Sequence, residues 1–174
     1  MLASTEAIRI HFDYSAWATG RLLNAGRQLS PEELARDFGT ADKSIIGTLA
    51  HIFAADRVWF ARVQGMELAA FVTPADYDLA VLDREWPKLS DRWKSWAGSL
   101  TEDSINEHCD YKDMKGNPHR TPLWQICLHV VNHATHHRGQ VSGFLRMLGR
   151  TPPPLDLIFF YREQAAASRQ PIKS

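Results

Sequence analysis

Cysteine is scarce in this 174-residue chain, with Cys109 and Cys127 the two examples. Two thiols are too few for a disulfide framework, and their spacing matches no zinc-knuckle pattern. They are expected to stay unpaired in a reducing cytosol. Long apolar runs are also missing. No segment reaches the 18 or more residues of a membrane span, and MLASTEAIRIHFDYS has no basic stretch leading into an apolar one, so neither a span nor a signal peptide is expected. Charge of one sign is not in surplus either. Lys plus Arg is 20 and Asp plus Glu is 20, whereas a duplex-binding surface needs excess cations to displace counterions. Nucleic-acid binding is therefore disfavoured. With no repeat, low-complexity stretch or linker, residues 1–174 read as one globular domain.

What the chain does have is histidine and tryptophan, eight and six of them. Four segments carry helical periodicity, at about 5–29, 44–64, 82–100 and 122–148. Ser30-Pro31-Glu32-Glu33 has the chemistry of a capped helical turn. Gly149 and the Pro152-Pro153-Pro154 run stop the last helix. Between the third and fourth segments, Lys115-Gly116-Asn117-Pro118 suits the turn of a small hairpin with strands of three or four residues. The tail PLDLIFFYRE is apolar, short and expected to pack back on the helices. The fold class implied is all-α, a four-helix bundle with a short hairpin or loop before the last helix. Trp86, Trp93 and Trp96 give the third helix an aromatic side, suited to a core or to a subunit interface.

The last helix holds the informative pattern. At about 100° per residue, Ile126, Val130, His133, His137, Val141, Phe144 and Leu148 share one stripe roughly 80° wide. His133 and His137 are one turn apart, so both rings can reach a single divalent ion. His129 and His133 have the same spacing, and periodicity only slightly favours the His133–His137 pair. A third ligand is offered by His51 in the second helix, flanked on its stripe by the small residues Gly47, Thr48 and Ala55, and by Val58. Three neutral imidazoles hold Zn²⁺, Ni²⁺ or a similar ion with a position left open, the mark of a reactive site. The blander reading is a set of hydrogen-bonded core or boundary histidines. His11 on the first helix fits that description or the edge of the same cavity. His136 should point to a flank, and His108 and His119 lie in loop-like, solvated sequence.

Several segments, in order along nearly the whole chain, resemble the DinB family, the damage-inducible and YfiT-like metalloenzymes. DYSAWATGRLL is similar to its first-helix signature and LAHIFAADRVWFARVQG to its second helix. TPLWQICLHVVNHATHHRGQ is similar to its last-helix signature, and PPPLDLIFFYRE to its tail. The NH-x-x-x-HRGQ element is the most specific part. Thr19 departs from the asparagine the family often has after the tryptophan–alanine pair.

The resemblance implies a bundle with a metal at one end, held by His51, His133 and His137, and a homodimer. It implies close helix approach at Gly139 and a ligand-orienting role for Gln140. Arg138 would lie beside the metal face and pair with an acidic residue. Zinc or nickel is the expected ion, with iron or manganese as other choices. Some relatives are thiol S-transferases using bacillithiol or mycothiol. The function implied is a metal-dependent thiol S-transferase acting on an electrophilic small molecule, a low-molecular-weight thiol being the co-substrate. The alternatives are a metal-assisted hydrolase, or a non-catalytic stress-response protein stabilised by its metal. No catalytic residue is identified by the pattern; His11, Tyr14 and His136 are the candidates for a general base. A cytoplasmic location is expected.

Overall fold

The computed structural model describes residues 3–67 and 70–168. Helix α1 spans Thr5–Gly26, the short α2 Pro31–Ala35, α3 Ile45–Val63 and α4 Leu79–Ser99. A two-stranded antiparallel hairpin follows, β1 His108–Lys112 and β2 Pro118–Pro122, and then α5 Leu123–Met147 and α6 Leu157–Ala167. Helices α1, α3, α4 and α5 are the four long members of the bundle expected from the sequence. None of the described helices is long and apolar enough to cross a membrane.

Local chemistry sets the helix ends. Ser4, Ser30, Ser44 and Asp78 each accept a backbone N–H in the first turn of α1, α2, α3 and α4, which satisfies donors the helix leaves free. Helix α1 stops three residues earlier than the periodicity suggests. Pro31 biases Ser30 to an extended backbone, observed at φ −72° and ψ 161°. Helix α4 begins earlier than expected because Asp78 provides its cap, and it carries the exposed Pro87 within it.

The core lies between α1, α3, α4 and α5. Leu82, Trp86, Leu89, Trp93 and Ala97 line the inner face of α4 and are buried. Trp86 and Trp93 are therefore core mass, each side chain of that size burying 150–250 Å² by the usual scale. Their indole N–H groups are not orphaned. Trp86 donates to the Asp56 carboxylate at 3.0 Å, and Trp93 donates to the Asp56 carbonyl at 3.2 Å. Asp56 is buried, and that burial pushes its carboxyl up to about 7.

Cys109 and Cys127 are both free. The hairpin is slightly longer than predicted, with five residues a strand and Tyr111 opposite His119. Asp113 closes its turn by accepting from the Lys115 and Asn117 backbone N–H groups at 2.8 and 2.9 Å, and Gly116 supplies the positive φ of 86°. The tail does pack back, as helix α6. Phe160 is its one buried residue, set against Tyr14 and Trp17 with ring centroids 6.0 and 5.7 Å away. Glu163 accepts from the Trp17 indole at 2.7 Å and pairs with Arg21.

Candidate metal centre

His133 and His137 stand one turn apart on α5, and α3 packs along that helix so that His51 faces both. Nε2 of His51 lies 3.1 Å from Nε2 of His133. The His137 ring centroid is 4.5 Å from each of the other two. One nitrogen from each residue lies within 4.8 Å of the others. Two nitrogens bonded to one ion at about 2.0–2.1 Å would be about 2.9 Å apart at a right angle and about 3.4 Å apart in a tetrahedron. The His51–His133 span falls inside that interval, and the three imidazoles are positioned to hold a metal ion. All three residues are half-buried.

Burial and repulsion from neighbouring imidazoles favour the neutral forms of His51 and His133, as ligation requires. Burial first, then His137, His51, His129 and His136, pulls His133 down to about 3. His51 is also lowered, by burial against the opposing pull of Asp42, with His137 adding to the fall. The Gln140 side-chain oxygen lies 2.7 Å from Nδ1 of His137. That oxygen accepts, so Nδ1 carries the proton and Nε2 is left with its lone pair free.

Two neighbours of the cluster were not visible in the sequence. Asp42 lies in the loop before α3, with carboxylate oxygens 3.4 Å from Nδ1 of His51 and 3.8 Å from Nδ1 of His137. This loop is pressed onto the first turn of α3. A β-carbon on Gly47 would fall well inside contact distance of the Asp42 carbonyl, so glycine is required there. Phe71 is the second neighbour, edge-on to His51 with centroids 5.4 Å apart. Its backbone carbonyl accepts from Arg57 at 3.0 Å, and Arg57 also forms a two-pronged pair with Asp76 at 3.0 and 2.9 Å. Phe71 and Asp76 are thereby both tied to Arg57, with Phe71 against His51.

Other sequence expectations sort differently. His136 is exposed, with its ring 4.9 Å from His137. His129 is the next imidazole outward, 5.7 Å from His133 and 5.1 Å from Trp59. His11 and Tyr14 do not border the cluster. They line a groove between α1, α5 and the tail, where His11 Nδ1 meets the Ala7 carbonyl and the Tyr14 hydroxyl donates to the Leu155 carbonyl. Arg138 is not beside the histidine face, and among the described residues it forms no hydrogen-bonded ion pair with an acid. It turns into the α1 side, where Ser15, Thr19 and Thr135 accept from it. Thr19 thus has a task in the core. Gly139 is not a point of close approach within the chain, since a β-carbon there would meet nothing within 4 Å. Gln140 stands where the resemblance placed it.

Comparison with known proteins agrees with this architecture. The DinB family model matches residues 1–171. Protein DinB of Bacillus subtilis (strain 168) is 22% identical over 153 residues, covering 83% of this chain and 88% of that protein. The crystal structure of a DinB-like protein from Bacillus cereus ATCC 10987 superposes with a TM-score of 0.66 at 20% identity, covering 88% of this chain and 99% of the other. At that identity the superposition speaks for the fold.

Proposed function

The chain belongs to the DinB family, and from that premise we propose that it is a metal-dependent thiol S-transferase whose ion is held by His51, His133 and His137. The observation that carries the reading is the convergence of three imidazole nitrogens, from two helices, within 4.8 Å. Cysteine-rich closed shells are the usual mark of a structural zinc, and neither Cys109 nor Cys127 belongs to this group. Zinc or nickel suits the donor set best. Such an ion, when bound, supplies acidity to a coordinated thiol, so that a thiolate is available at neutral pH.

The protein's own groups have three tasks. Each imidazole binds through one ring nitrogen, which for His137 is Nε2. Gln140 fixes the tautomer of His137, and the Asp42 carboxylate stands behind His51 and His137 where it favours their donor character. Phe71 closes part of the His51 side against water. No side chain is needed as nucleophile, because the thiol co-substrate has that role. His136, exposed next to His137, is the one sequence candidate placed to exchange a proton near the cluster.

The test begins with elemental analysis of protein purified without an affinity tag. Conjugation is then assayed with several low-molecular-weight thiols, including bacillithiol and mycothiol, and a model electrophile. Turnover that requires metal and vanishes in His137→Ala is expected. Absence of turnover with every thiol, by metal-replete protein, overturns the transferase reading.

A further inference from the structure

On the side of α5 roughly opposite His137 lies a cavity of about 540 Å³, bordered by α1 and by the chain leading into α6. Arg138 lines it and is 2% exposed. Its hydrogen-bond partners among the described residues are all neutral. Nη1 donates to the Ser15 hydroxyl at 3.0 Å, and to the Thr19 hydroxyl and Ser15 carbonyl at 3.4 Å each; Nη2 donates to the Thr135 hydroxyl at 3.0 Å. Its Nε is enclosed and has no acceptor among the described residues. Arg146 borders the same cavity, and its hydrogen bond among the described residues runs only to its own helix, at the Ser142 carbonyl.

The buried Asp56 carboxyl acts on the Arg138 guanidinium only through its charge, with no hydrogen bond or ion pair between them, and the Tyr14 ring lies 5.3 Å from the guanidinium carbon, so its desolvation cost is only partly offset. Hydroxyls and carbonyls solvate it, but they do not neutralise it. The cavity beside it is the place where a counter-charge can stand. One acid, the exposed Asp156, also borders the cavity, so two cations face one anion and the space remains net positive. Pro153, Leu155 and Phe159 supply an apolar wall. Gly139 leaves the α5 face open, as its missing β-carbon would touch nothing within 4 Å. The volume lies within the range of small-molecule sites.

We propose that this cavity binds a small organic anion, with a carboxylate directed at Arg138 and Arg146 and an apolar body against Pro153, Leu155 and Phe159. The site is separate from the histidine cluster and does not depend on its metal.

Benzoate, acetate and inorganic phosphate serve as probes. Binding to the full chain is followed by calorimetry, together with the Arg138 Nε–H resonance in ¹⁵N spectra. Benzoate is expected to bind most tightly, to move the Arg138 resonance, and to weaken as salt is raised. Two variants carry the test, because loss of Arg138 itself endangers the fold. Gly139→Leu fills the cavity from a helix surface that has room for it, and should abolish saturable binding. Arg146→Gln should weaken binding about tenfold or more. Thermal melts of both should remain cooperative. His137→Ala should bind benzoate as the wild type does. No saturable binding of any probe up to tens of millimolar overturns the proposal. So does binding that survives Gly139→Leu, or binding that disappears in His137→Ala, which would put the anion on the histidine cluster.

Discussion

Asp56→Asn should change how stability depends on pH. Asp56 is enclosed by Trp86, Trp93 and the surrounding core, and its carboxyl has moved from the ordinary 3.8 to about 7. Burial is the main cause; the Trp86 N–H bond and the Arg138 charge oppose it. Between these two values the unfolded chain has released a proton that the native state keeps. Stability therefore falls as pH rises through this window, by about 1.4 kcal/mol per pH unit, and levels off above the native value. Over the whole window the loss is about 4 kcal/mol, and from pH 5 to pH 7 about 3 kcal/mol. Asparagine keeps an oxygen for the Trp86 N–H and cannot ionise. The stability difference between variant and wild type should therefore shift by about 3 kcal/mol in favour of the variant from pH 5 to pH 8. Histidine titrations are common to both proteins and cancel in that difference. Urea unfolding with chelator present, at closely spaced pH values and with m-values compared, measures it. A difference that stays flat from pH 5 to pH 8 would refute the reasoning, because it would mean that Asp56 is already ionised at pH 5.

His137→Ala should reduce metal content to near zero while the bundle stays folded, since the stability of such helices comes from apolar packing; His119→Ala should retain full metal, and equal content in both would contradict the ligand set. Gln140→Leu, read by competition with a chromogenic chelator, should weaken metal binding about 10–100-fold through loss of the His137 tautomer lock. Gly47→Ala should cost about 1–3 kcal/mol by forcing the Asp42 carbonyl off the first turn of α3, and should lower metal affinity at the same time; chemical denaturation and metal competition on one sample would check the pairing.

The long helices were legible because burial repeats at their own period. Ile126, Val130, Val141 and Phe144 are buried where the stripe put them, and His133 and His137 share their face. The third imidazole came from a different helix, and small neighbours around His51 were its local signal. Gln140 was reachable through the resemblance alone. Asp42 and Phe71 were not legible, because their placement depends on how two loops fold back and neither loop has a period. Arg138 was misplaced for a related reason: the resemblance put it beside the metal face with an acidic partner, and nothing nearby in sequence announces that Ser15 and Thr19, more than a hundred residues earlier, will receive it. The tail was expected to pack back without an assigned element, although YREQAAA in it consists mostly of good helix formers.

The clasp between Arg57 and Asp76 bears on how acid would act at the cluster. Burial works against charge on Asp76, but hydrogen bonds from Arg57 and Thr73 outweigh it and hold the carboxyl below its ordinary range. Mild acidification therefore leaves this latch charged and shut. Protons arriving at the histidines would meet them with Phe71 still in position, and an ion would be released by competition for the ring nitrogens rather than by the doorway swinging open.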